Sequence, residues 1–123
     1  MIFDLNSVVV DFVVRTEDPE TWRIVLVESG PWEDINQELY RVQDRLYKCV
    51  DNLIEGGLAR KFPETRNKKI LIQFDGYNLP EARFAEFYNS FSSRIFLIPD
   101  FAKALKESDS VKEITFSLNL QQY

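Results

Sequence analysis

The side chains able to do covalent or acid–base chemistry here are one cysteine, a scatter of serines and twenty carboxylates; there is no histidine. Without imidazole the chain has neither a Ser-His nor a Cys-His nucleophile pair, and it lacks the usual general base near neutral pH. A zinc site is left without its usual ligands, and the acids lack the spacing of a calcium-binding EF-hand loop. Cys49 falls in the apolar stripe of a helix, where a packing role is expected rather than a reactive thiolate. Ser90, Ser92 and Ser93 stand in no nucleophile-elbow or S-x-x-K context, so they read as polar helix or loop positions. Paired carboxylates cleave glycosides only when a cleft holds them at a defined separation, whereas these acids follow helical and loop spacing. Asp75-Gly76 reads as a turn after a strand, and the four glycines form no phosphate-cradling motif. The expectation is a protein with no catalytic, cofactor-binding or metal-binding residues.

A second group of residues suits recognition instead. On the first helix Tyr40, Asp44, Tyr47 and Asp51 recur at intervals of four, three and four. At about 100° per residue they form a stripe roughly 110–170° from the centre of the apolar one. Tyrosine beside carboxylate gives large contact area at low rotamer cost, with charge to steer a partner. The competing reading has both rings lying along the core boundary and covering it. Trp32, just before the helix, is expected to pack against the fold.

The elements that must position these residues can be read from periodicity. Residues 8–14 (VVVDFVV) and 22–27 (WRIVLV) are β-branched runs separated by a polar turn with Pro19, the pattern of an antiparallel hairpin. On the second run Trp22, Ile24 and Leu26 share a face. Gly30-Pro31 stops the sheet, and Asp34 with Gln37 has capping-box spacing. Ile35, Leu39, Val42, Leu46, Cys49, Val50 and Leu53 then predict a helix of about five turns, ended by Gly56-Gly57. Residues 69–74 (KILIQF) predict a third strand. Asn78, as a cap, and Pro80 open a second helix with Phe84, Phe87, Tyr88 and Phe91 buried. Residues 95–98 read as a short buried strand or a packed connection, followed by one helical turn from Pro99 through Leu105. The last strand alternates, with Ile114, Phe116, Leu118 and Leu120 on one face and Glu113, Thr115, Ser117 and Asn119 on the other. The order β-β-α-β-α-β predicts a single α+β domain over residues 1–123, with a mixed sheet of about four strands and helices on one face.

Ile24-Val25-Leu26, Trp32, Leu39, Val42-Gln43, Leu46-Tyr47, Ile54-Glu55-Gly56-Gly57, Phe62-Pro63 and Lys69-Ile70-Leu71-Ile72 together have a cadence of their own. Over this middle half the chain resembles a family of small uncharacterised bacterial proteins. Those proteins combine a strand, a Trp-led helix, an "I-E-x-G" helix end, an aromatic-Pro loop and an "x-I-x-I" strand. The resemblance implies the fold and brings no activity; the C-terminal third departs from it, being longer and more aromatic.

Composition narrows the compartment and the partner. Apolar residues are 45% and charged residues 28%, a globular balance, and no apolar run approaches the about 20 residues of a membrane span. The N-terminal stretch lacks a basic region and a cleavage site, and a lone cysteine agrees with a reducing compartment, so a cytoplasmic protein is expected. Net charge is −5: residues 1–55 carry −7, residues 59–69 carry +4, and residues 70–123 carry −2. An acidic protein repels phosphate backbones, so neither nucleic acid nor membrane is the expected partner. The 59–69 cluster is expected to be a solvated loop, since it contains Pro63 and no aromatic platform. These features fit a small non-enzymatic binding protein. The expected form is a bacterial immunity protein that inhibits a toxin, with basic, nucleic-acid-attacking toxin domains the partners that match its charge. The alternative is a structural or adaptor protein that self-associates as a homodimer through a strand edge or a sheet face.

Overall fold

The computed structural model describes residues 3–4 and 9–123, with side chains from residue 10 onward. The strands are β1 (Phe3–Asp4), β2 (Val9–Val10), β3 (Phe12–Arg15), β4 (Thr21–Ser29), β5 (Lys68–Tyr77) and β6 (Val111–Gln121). The helices are α1 (Ile35–Glu55), α2 (Gly57–Lys61), α3 (Glu81–Arg94) and α4 (Pro99–Glu107), with 3-10 turns at Pro63–Thr65 and Ile95–Leu97.

β3 to β6 lie side by side in chain order as a mixed four-stranded sheet. β3 and β4 form the expected antiparallel hairpin; β4 with β5 and β5 with β6 are parallel, each pair joined by a helical crossover. The architecture is α+β, as the sequence pattern predicts. Strand alternation explains which face is dry. Trp22, Ile24 and Leu26 on β4, Ile70, Ile72 and Phe74 on β5 and Ile114 on β6 are all buried. Above them sit Val42, Leu46, Cys49, Val50 and Leu53 of α1 and Phe84, Tyr88 and Phe91 of α3. Aromatic contacts tie the layers: Phe74 meets Phe84 at 4.8 Å between ring centroids and Tyr88 at 5.5 Å, and Phe116 meets Phe91 at 6.0 Å. Offset and edge-on pairs of this kind add about 0.5–1.5 kcal/mol each beyond the area they bury.

α1 begins and ends as its sequence dictates. The Asp34 carboxylate accepts the Gln37 backbone N–H at 3.1 Å, and Gly56 takes φ +94°, donating its N–H to the carbonyls of Asn52 and Leu53. Three local readings are corrected, and one that was open between two alternatives is decided. The 8–14 run is not one strand: it breaks at Asp11, whose carboxylate accepts the Val27 N–H at 2.7 Å in place of a ladder carbonyl, and Val8 lies outside the described residues. Asn78 does not cap α3: it takes φ +59° and its side chain accepts the Tyr123 N–H, while Pro80 occupies the cap position. Residues 95–98 are a packed connection, a 3-10 turn in which only Ile95 is buried and Leu97 is 77% exposed. α4 is longer than the expected single turn, because Pro99 starts it and Ser108 ends it with nothing helix-breaking between.

Candidate protein-docking groove

α1 and α3 lie on the same sheet face, and their facing side chains do not fully close over one another. Between them runs a groove of about 550 Å³, floored by Leu39, Tyr47, Phe87, Phe91, Ile95 and Ile98. Gln43, Arg83, Glu86, Ser90 and Arg94 supply polar groups along it. A second hollow of about 370 Å³ shares Leu39, Gln43 and Phe87 and continues the groove to Asn36 and Tyr40. At one end the Arg83 guanidinium donates to the Asn36 side-chain oxygen, latching α3 to the start of α1.

The four residues of the predicted stripe are divided by this geometry. Tyr40 is 74% exposed and stands at the groove mouth. Tyr47 has turned inward to the floor, meeting Phe91 edge-on at 5.0 Å and Phe101 of α4 at 5.6 Å. It covers the core boundary, as the competing reading of the tyrosines expects. Asp44 and Asp51 are exposed and line neither hollow. Asp44 pairs with Lys48 one turn on at 2.9 Å, an exposed helical pair of about 0.3–0.5 kcal/mol. Partial burial, with Glu55 one turn away, pushes the Asp51 carboxyl up. The groove thus gathers Tyr40 and Tyr47, and leaves the two aspartates on the outer face of α1.

The segment at residues 59–69 is not a solvated loop. It folds into α2 and a 3-10 turn, and acids from elsewhere take up several of its cations. Arg66 faces Asp109 at 3.8 Å, Lys68 meets Glu20 at 2.5 Å and Lys69 meets Glu113 at 3.9 Å. Its own acid, Glu64, pairs with Arg15 at 2.8 Å. Trp32 packs edge-on against Phe84 at 5.8 Å, as expected.

One charged constellation escaped the sequence reading. Glu28 is 9% exposed at the carboxyl end of β4, on the helix-facing side. Arg41 grips it with two bonds of 2.6 and 3.1 Å and also reaches Glu38 at 2.8 Å. Arg45 bonds Glu28 at 2.9 Å, the Asp11 carboxylate at 3.1 Å and the Val27 carbonyl at 3.1 Å. The hydrogen bonds that it donates to Glu28 and then to Glu38 hold the Arg41 guanidinium more firmly protonated than usual. The signal was present: Arg41 and Arg45 stand one helical turn apart on α1, and Glu28 falls at a helix-facing position of β4. Cys49 is buried as expected, its thiol pushed up to about 12 by desolvation. Burial likewise raises the Tyr88 phenol, which donates to the Ile72 carbonyl at 3.2 Å. Among the described residues no group of three or more Cys, Asp or Glu side chains is placed to hold a metal ion, and no helix is long and apolar enough to cross a membrane.

Comparisons with protein-family models, with curated proteins and with solved structures found no match to this chain, so the groove is interpreted from its own chemistry.

Proposed function

We propose that the chain is a non-enzymatic binding protein whose α1–α3 groove receives an apolar segment of a basic protein partner, in the manner of an immunity protein that holds a toxin inactive. The observation that carries this reading is the open aromatic groove with Tyr40 free at its mouth. Exposed tyrosine beside an apolar floor that a partner would desolvate is what binding hot spots are built from. Charge supports the sign of the partner. The chain carries −5, with the surplus of acids in its first 55 residues, and an acidic body speeds capture of a basic domain. Asp44 and Asp51, outside the groove, would contribute to this steering rather than to the seat itself.

The test starts from the reading frame directly upstream of this gene, which should encode a toxin domain. Co-expression should restore growth to cells making that domain. Tyr40→Ala with Gln43→Arg, which blocks the groove without touching the buried core, should weaken binding by about 30-fold or more, the loss of one interface anchor worth about 2 kcal/mol. Asp44→Lys with Asp51→Lys should lower the association rate at low salt and leave the dissociation rate nearly unchanged. No rescue by the wild-type chain, or full binding by the groove variant, refutes the proposal.

A further inference from the structure

β6 is the longest strand and an edge of the sheet: among the described residues no strand pairs with it on the side away from β5. Long edges are templates for strand addition, and proteins protect them with lysines, prolines, bulges or covering elements. Here such protection is confined to the first residues of the strand. Lys112 is an extra residue opposite the Lys68–Lys69 step, followed by Glu113. From Ile114 to Gln121 there is no charge, no proline and no register shift.

The hydrogen bonds reveal which peptide groups face outward. The Gln121 carbonyl accepts the Asn78 N–H at 2.8 Å, on the β5 side. Peptide groups alternate along a strand, so Glu113, Thr115, Ser117 and Asn119 also turn toward β5. Ile114, Phe116, Leu118 and Leu120 then turn their N–H and C=O groups to the open edge, eight groups in all by this alternation.

We propose that this edge pairs with β6 of a second copy, antiparallel about a two-fold axis through Ser117, to make one continuous eight-stranded sheet. Among the registers that keep the apolar faces together, the three nearest the middle of this uncharged stretch are centred on Phe116, Ser117 or Leu118. Only the Ser117 centre sets Ile114 opposite Leu120 and Phe116 opposite Leu118 in both directions, so that all four outward-facing residues of each copy exchange both bonds. Either alternative leaves one of the four outside these pairs. The same register sets Thr115 opposite Asn119 and Glu113 opposite Gln121, with no like charges facing. Side-chain shape agrees. Along Ile114, Thr115 and Phe116 lies a hollow of about 300 Å³ edged by Ser92, Ser93 and Phe96. Leu118 and Leu120, left half-exposed on the other half of the strand, come opposite that hollow in the partner copy. The groove between α1 and α3 lies elsewhere, so the dimer would present two of them.

Sedimentation equilibrium of the full chain should give twice 14.5 kDa at tens of micromolar. Thr115 and Asn119 are exposed on the sheet face away from the helices, so both can be charged without disturbing the core. Thr115→Lys with Asn119→Lys brings lysines face to face twice and should give a monomer with an unchanged circular dichroism spectrum. Thr115→Lys with Asn119→Glu brings opposite charges together at the same two places and should restore a dimer that weakens with salt. A wild-type chain that remains monomeric, a double-lysine variant that still dimerises, or a charge-swapped variant that stays monomeric overturns the proposal.

Discussion

Replacing Arg45 by methionine tests whether the network at the end of β4 holds α1 to the sheet. The guanidinium is 18% exposed and the Glu28 carboxylate beside it 9%, so both charges are largely removed from water. The substitution keeps the apolar stem and deletes charged bonds to Glu28 and Asp11 together with the bond to the Val27 carbonyl. Breaking one partner of a buried ion pair costs about 3–5 kcal/mol. Here Glu28 keeps both of its bonds from Arg41, and Asp11 keeps the Val27 N–H, which brings the expected loss to about 2–3 kcal/mol. Arg41→Met removes a guanidinium that is 48% exposed, and water can replace it, so its cost should be about 1 kcal/mol or less. Adding Glu28→Gln to Arg45→Met should cost less than the two single changes together, with a coupling of about 1–2 kcal/mol, because the carboxylate left with Arg41 alone is then gone. Urea unfolding at neutral pH measures the wild type and the four variants, and an unchanged m-value would show that the denatured state is unaffected. An Arg45→Met cost below about 1 kcal/mol, or one smaller than that of Arg41→Met, would refute the view that burial gives this pair its weight.

Two further outcomes can be checked on the purified chain. Cys49 is 1% exposed and desolvation pushes its thiol up to about 12, so an aromatic disulfide reagent at pH 8 should label native protein only as fast as it unfolds, with full labelling at once in urea; rapid native labelling would mean that the α1 stripe opens locally. Gly56→Ala should destabilise by about 1–2 kcal/mol on thermal unfolding, since φ is +94° and the added methyl would sit 2.7 Å from Ser110 Oγ.

Local chemistry makes much of the fold legible in the sequence itself. The Ile35 to Leu53 stripe, the Asp34 cap and Gly56 define α1 because capping and amphipathic spacing act within a few residues. The alternation of Ile114 to Leu120 marked β6 as a strand with one dry face for the same reason. Where a distant group intervened, sequence reasoning failed. Asp11 breaks a β-branched run only because Val27 and Arg45 reach its carboxylate from residues 16 and 34 positions away. Asn78 looks like a cap in the sequence, but its side chain is taken by the backbone N–H of Tyr123, 45 residues on.

The candidate site divides along the same line. That α1 carries tyrosines away from the centre of its stripe follows from spacing alone. Helical angle could not decide which ring would be buried, because that depended on Phe91 and Phe101, which α3 and α4 bring to Tyr47 and not to Tyr40. The groove, the Glu28 network and the unpaired edge of β6 exist only once separate segments are docked. Patterning specified the elements and their dry faces, through forces that reach one or two turns; the spaces and charge clusters between elements were decided by tertiary packing, which brings together residues far apart in the chain.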